Sequence, residues 1–405
     1  MTDPQSLKIT LPPLQITLQD QNQVSLQWLA AGQGVAGQGN ALQVLDQNPS
    51  TESAQAPSTS GTSVSNPQAP SPEIPDTWKQ WAATNILMGR PETDLIRIMV
   101  EHDLDHALVQ QEVTSLKANP YCKAAEQFIQ QLQKLESLSE IQHQLQQLST
   151  IATQVERKIG LSRTDFLNHY YGRNTPVIFT GIMNNWSALK QWNPDYFQKH
   201  YGDVTVEVQA NRNSDPKYEI NVDRHRKKVK FRDYISWIKQ GNSGNDYYIV
   251  ANNGNLDREE LKGLLQDIEI FPEYLDSQQT KGRIFFWFGP AGTVTPLHHD
   301  PVNLMLAQVR GRKRILLVPP QQTPYLYNHL GVFSEVDVTQ PDYQKYPLFR
   351  NVKPIEVILE PGEVIFIPVG WWHHVTSLDV SISVSFTNFV FPNHYTWKNP
   401  SFGQR

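Results

Sequence analysis

The sequence predicts an α+β protein, with helices leading into a β-sandwich or barrel. Three observations carry this. Between residues 76 and 160, apolar residues recur every three or four positions, with glycine and proline at the stops. From about Leu161, aromatic and β-branched residues rise, and short apolar runs alternate with turn residues. Long helices are few in that second part, which favours a sandwich or barrel over a helix-covered parallel sheet.

Taken in order, residues 1–30 carry short alternating patches (Leu14, Ile16, Leu18; then Val24, Leu26, Trp28) that suit a small hairpin or a loose segment. Residues 31–75 turn to Gly, Gln, Ser, Thr, Pro and Ala, as in TESAQAPSTSGTSVSNPQAPSP, and read as a disordered linker with too little apolar surface to offset its ordering entropy. The helical region 76–160 opens with PDTWKQWAATNILMGRP, capped by Asp76 or Thr77 and stopped at Gly89 and Pro91. Two more short helices follow, with Thr93 and Asp103 as caps. Pro120 begins a long helix whose stripe runs Phe128, Leu132, Leu135, Leu138, Ile141, Leu145, Leu148, Ala152, Val155. One spacing in the stripe is short, an interruption that coiled coils tolerate. Such a stripe fits either a helix packed on its own domain or the seam of a homodimer. Strands are then expected in 161–405, in NTPVIFTG, GDVTVEV, DYYIVAN, RIFFWFG, NLMLAQVRG, RKRILLVPP, GEVIFIP and VSISVSFTNFVF.

Composition narrows the partners. A net charge of −5 gives no general pull toward nucleic acid or an anionic membrane. The single cysteine, Cys122, cannot close an intrachain disulfide, which fits a reducing compartment. The start lacks a basic-then-apolar leader, and no apolar run reaches the roughly 18 residues of a membrane span. The expectation is a soluble, cytoplasmic protein with no nucleic-acid or membrane partner.

The chemistry lies in TPLHHDPVNLMLAQVRGRKRILLVPP and PGEVIFIPVGWWHHV. His298 and Asp300 are two apart, so an extended chain puts both on one face. His373 follows the turn that ends the GEVIFIP strand. Two imidazoles and one carboxylate leave three octahedral positions open, the arrangement of non-haem Fe(II) oxygenases. Lys313, in phase with Ile315 and Leu317, points into the same interior, where an ammonium needs an anion. A dicarboxylate chelating the metal at one end would supply that anion, and Thr295 could add a hydroxyl to it. Each adjacent pair can turn only one histidine inward, so His299 and His374 are read as neighbours of the ligands. The basic run Arg224 to Lys230 reads first as a solvated face and second as a substrate contact. The other histidines (His102, His106, His143, His169, His200, His225, His329 and His394) read as structural or surface residues.

Together with FLNHYYGRNTPVIFTG, NWSALKQWNPDYF and FFWFGPAGTVTPLHHD, these motifs resemble the JmjC family over about Leu161 to Pro400, in its cupin-like branch near the asparaginyl hydroxylase of hypoxia-inducible factor. The resemblance implies a double-stranded β-helix (a cupin jelly roll) using Fe(II) and 2-oxoglutarate. Dioxygen is split, 2-oxoglutarate leaves as succinate and carbon dioxide, and a substrate carbon is hydroxylated. His298, Asp300 and His373 match the iron ligands; Lys313, Thr295 and Tyr248, with Tyr247 as its rival, match residues at the distal carboxylate. Two positions depart from the pattern: Leu304 stands where many members carry Asn, with Asn303 one place early, and Ser385 stands where the hydroxylase carries Asn, with Asn388 nearby. The expected substrate is a protein or peptide side chain; a small molecule, or a non-catalytic binding role, are the alternatives.

Overall fold

A computed structural model describes residues 73–148, 153–251, 254–328 and 331–397, and the backbone of two strands in the N-terminal segment. Those strands, β1 (Leu14–Gln19) and β2 (Gln23–Trp28), pair antiparallel as a hairpin. Nearly all of the segment read as a linker, 31–75, lies outside the described residues. Its last residues belong to the helices instead, because Ile74 is buried against them.

The chain divides into two compact units, Met1–Lys134 and Leu135–Arg405. In the first, α1 (Asp76–Leu87), α2 (Glu92–Glu101) and α3 (His106–Ala118) close on a small core of Ala82, Leu95, Met99, Val109, Val113 and Leu116. Two of the expected caps give way to proline. Pro75 and Pro91 precede α1 and α2, and neither helix has a side-chain cap, so Asp76 is the first helical residue and Thr93 the second. Before α3 the cap is Asp105, whose carboxylate accepts from the Leu108 N–H at 3.0 Å. Asp103, the expected cap, instead turns the chain at φ 63°. The long helix α4 (Pro120–Gln147) starts at Pro120 as expected and crosses from one unit into the other. It ends before Val155, which is buried in the barrel core.

The second unit is a two-sheet barrel. Its larger sheet runs in the order β3 (Glu156–Ile159), β4 (Val177–Thr180), β12 (Val364–Ile367), β9 (Leu304–Arg310), β14 (Ser381–Phe386), β7 (Ile284–Gly289). The smaller sheet runs β11 (Ile355–Leu359), β10 (Lys313–Val318), β13 (Trp372–Ser377), β8 (Val294–His299). Strand β3 falls within the stretch read as helical; it pairs parallel with β4, so the barrel sheet begins before residue 161.

Alternation explains why the larger sheet is buried on both faces. Val364 and Phe366 of β12 pack outward into a core shared with α5 (Arg163–Phe166), α7 (Pro194–Tyr201) and α9 (Phe231–Lys239), while Ile365 and Ile367 turn into the space between the sheets. In β14, Ile382, Val384 and Phe386 join the outer core. Its inward serines make polar bonds: Ser383 donates to Gln308 at 2.7 Å, and Ser385 accepts from the Trp287 indole at 2.9 Å. The barrel interior therefore carries polar groups beside its apolar core.

Beside the barrel, α6 (Ala188–Gln191) precedes α7, and α8 (Val222–His225) leads into a ribbon of β5 (Thr205–Gln209) and β6 (Arg226–Lys230). The basic run, Arg224 to Lys230, therefore ends α8 and forms the second strand of this ribbon. Two of its members are engaged locally: Arg226 with Glu207 and Asp223, and Lys230 with the Asp203 carbonyl.

Candidate metal centre

Register places the ligand residues. His298 on β8 lies directly across from His373 on β13, and their ring centroids are 4.1 Å apart. Asp300 follows the end of β8, with its carbonyl accepting from the Gly370 N–H at 3.0 Å. Its carboxylate comes within 3.6 Å of His373 Nε2. One ligand atom from each of the three lies within 4.8 Å of the others.

The backbone fixes both rings. His298 Nδ1 lies 2.8 Å from the Pro296 carbonyl, and His373 Nδ1 lies 3.0 Å from that of Trp371. A carbonyl only accepts, so each Nδ1 carries the proton and each Nε2 presents a lone pair to the shared space. Burial pushes His373 well below the ordinary imidazole range and pushes the Asp300 carboxyl up. Two neutral imidazoles and a carboxylate in one place are a donor set for a divalent first-row metal, and they fit Fe(II). The neighbours behave as expected from strand alternation. His299 sets its ring 4.7 Å from Trp372, and His374 lies across from Leu316.

A bulge brings Thr295 to the same face. Three residues along a regular strand would put Thr295 and His298 on opposite faces. Across the pair, however, His373 opposes His298 and Val375 opposes Thr295, so β8 holds one residue more than β13 over this stretch. His373 and Val375 share a face, and Thr295 therefore shares it with His298. Pro296 stands within the extra length, where a missing N–H costs the ladder least. A proline inside an otherwise extended run was the one sequence signal for this irregularity.

Lys313 opposes Ser377, two residues beyond Val375, so it too faces the interior. It is 2% exposed, and its ammonium donates to Tyr248 Oη at 2.9 Å. The rings of Trp287 and Tyr248 lie 5.5 and 5.6 Å from Nζ. Among the described residues, no carboxylate lies within ion-pair reach of it. A buried ammonium with only a phenol and two ring faces around it fits an external anion. Tyr248 rather than Tyr247 holds this place, since Tyr247 packs on Trp237 at 4.6 Å. Motif reading singled out neither Trp287 nor its bond to Ser385.

The two departures resolve differently. Leu304 packs against the inter-sheet core. Asn303, 1% exposed, is a junction: its Oδ1 accepts from the Val369 N–H at 2.7 Å, its Nδ2 donates to Tyr395 Oη at 2.7 Å, and its N–H donates to Asn393 at 2.8 Å. Asn388 is turned away from the site and donates to the Asp276 carbonyl at 2.8 Å.

Residues 163–390 match the family described as a cupin-like domain. The chain belongs to the cupin-like domain family. Among curated relatives it is 36% identical to Lysine-specific demethylase 8 of Xenopus tropicalis over 230 residues, covering 55% of this chain and 49% of the relative. It is also 36% identical to Lysine-specific demethylase JMJ30 of Arabidopsis thaliana over 252 residues, 59% of this chain and 55% of the relative. To the tRNA wybutosine-synthesizing protein 5 of Gallus gallus it is 32% identical over 260 residues, 60% of this chain and 79% of the relative. This cupin-like chain thus spans about half the length of the two demethylases it matches. The residues matched to the family, 163–390, include all six candidate site residues.

Proposed function

We propose that this cupin-like protein is an Fe(II)- and 2-oxoglutarate-dependent oxygenase that hydroxylates a side chain of a protein or peptide. The observation that carries the reading is Lys313: a buried ammonium without an anion, facing the same interior as a two-histidine, one-carboxylate cluster. His298, Asp300 and His373 would hold the metal, which supplies the activation of dioxygen when bound. Lys313 and Tyr248 grip the distal carboxylate of 2-oxoglutarate, with the Thr295 hydroxyl as a further donor. Trp287 walls the pocket and keeps water from competing for the ammonium. A peptide is favoured over a polyanion by the net charge of −5 and by the names of the two demethylase relatives. Small molecules and a tRNA nucleoside are the competing substrates.

The test is succinate formation from 2-oxoglutarate with Fe(II), followed by capture of partners on metal-substituted protein and mass spectrometry for one added oxygen. Tight metal binding without any 2-oxoglutarate binding at millimolar concentration would sink the oxygenase reading and leave a binding protein.

We also propose that α4 joins two copies of this chain. The polar side of its second half is the side that meets the barrel: Ser139 donates to the Gln321 carbonyl at 3.1 Å, Tyr325 donates to Glu140, and His143 packs on the same tyrosine. Its leucines point the other way, with Leu135 65% and Leu145 56% exposed. The exposed row of Leu132, Leu135, Leu138, Ile141 and Leu145 is self-complementary between two copies, which is what a two-fold interface requires. Light scattering on the intact chain tests this, and a monomer at micromolar concentration would remove it.

A further inference from the structure

Arg212 lies outside the set of residues assigned above, yet its side chain is fully buried. It sits in the loop between β5 and α8, preceded by Asn211 at φ 59°. One arm of its guanidinium donates to Asn245 Oδ1 at 2.9 Å; the other donates to Glu219 at 2.5 Å and to the Val294 carbonyl at 2.8 Å. Asn245 Oδ1 also accepts the Val294 N–H at 2.8 Å. Both backbone groups of Val294 are thus held by one pair, the buried Arg212 and the half-buried Asn245. Val294 is the residue before Thr295 and the first of β8. The guanidinium also lies over the Tyr218 ring at 4.2 Å and the Tyr248 ring at 5.3 Å. Gly289 also packs close against Tyr248, since a side chain there would collide with its ring at 2.6 Å. Its backbone is tied to Gln209 by bonds of 2.8 and 3.0 Å.

We infer that Arg212, working with Asn245 and Glu219, is the positioning residue that sets Thr295 and Tyr248 against the distal carboxylate of the cosubstrate. This rests on the oxygenase reading. Arg212 does not serve as a second cation for that carboxylate. Glu219 neutralises it; its two terminal nitrogens bond Asn245, Glu219 and Val294, and Nε has no partner among the described residues. What it supplies is geometry: a planar fork that grips a backbone carbonyl and a side-chain amide together, which an ammonium cannot copy. Its effect is felt at one end of the pocket, because the metal ligands lie at the other end of β8.

Two ligands separate the ends. With Mn(II) in place of iron, anaerobically, 2-oxoglutarate reads both ends of the pocket. Oxalate chelates the metal and has no distal carboxylate. In the intact chain, Arg212→Met combined with Glu219→Gln removes the fork without leaving a lone buried charge. Asn245→Ala releases the Val294 N–H while keeping the arginine. We expect each to weaken 2-oxoglutarate roughly ten-fold, with Mn(II) and oxalate affinity unchanged, and Arg212→Lys to recover little of the loss. A merely structural role would lower the unfolding temperature and leave 2-oxoglutarate affinity of the folded protein as in wild type, which would overturn the inference. Equal weakening of oxalate and 2-oxoglutarate would overturn it as well. If wild type itself binds oxalate and not 2-oxoglutarate, the oxygenase reading has failed, and the inference falls with it.

Discussion

Lys313 shows how far a single residue can be read from sequence. Its phase with Ile315 and Leu317 and the cost of burying an ammonium were enough to expect an anion opposite it; the structure adds the phenol and the two rings. Lys313→Ala should still take up metal and should weaken 2-oxoglutarate by roughly ten- to more than a hundred-fold, because a charge-assisted bond is worth on the order of 1.5–3 kcal/mol. Titration with Mn(II) as the metal checks this, and equal binding by wild type and variant would reduce Lys313 to a packing residue. Within the histidine pair, His373→Ala should abolish iron-dependent succinate formation, since a three-ligand site has no spare donor. His374→Ala should keep metal, because that ring lies across from Leu316 on the other face. Retention of metal by the first variant and its loss by the second would reverse the assignment. The roles of Trp287 and Asn303 were not legible, although Asn303 was noticed as standing one place early, because they come from partners about a hundred and about seventy residues away, Ser385 and Val369.

At the level of elements, seven of the eight expected runs hold strands, whereas DYYIVAN carries only isolated bridges at Tyr248 and Ile249, and strand irregularities were read poorly. Alternation gives a face only while the period holds, and β8 breaks its period at Pro296, just where the site needs Thr295 and His298 on one side. Caps failed for a related reason: a proline ahead of a helix fixes its start without a side-chain acceptor, so Thr93 has no capping work to do. Asp105→Ala should therefore cost about 1 kcal/mol of stability, and Thr93→Ala should stay within roughly 0.5 kcal/mol. Urea unfolding of the two variants separates them, and the reverse order would contradict the cap geometry. On α4, Leu138→Glu together with Leu145→Glu alters exposed positions only. It should convert the proposed dimer to monomer in light scattering while leaving the unfolding midpoint of the barrel in place. A dimer that survives both charges would have its seam elsewhere.

For the whole molecule, the order of helices followed by a barrel was legible because two apolar periods succeed each other along the chain. The start of the barrel sheet was not, since β3 is four residues long, mostly exposed, and held by its pairing with β4. Burial of neutral imidazoles also sets a pH response. Burial holds His374 at about 4 against an ordinary 6.5, and lowers His143 as well. Between those pH values the unfolded chain carries more protons than the folded one, so stability of the metal-free protein is full above about pH 6.5 and is lost as pH falls toward 4. Thermal unfolding in chelator across that window measures it, and a flat profile would mean these rings stay solvated. The junction at Asn303 has a practical consequence for anyone handling this protein. Its three bonds tie the turn before His373 and the stretch after Asp300 to Asn393 and Tyr395. Trimming the chain at Val390, or anchoring a purification tag close behind Tyr395, would therefore tug on the segments next to two of the candidate metal ligands, Asp300 and His373. Loss of activity in such a sample would report the handling of its tail rather than the chemistry of its pocket.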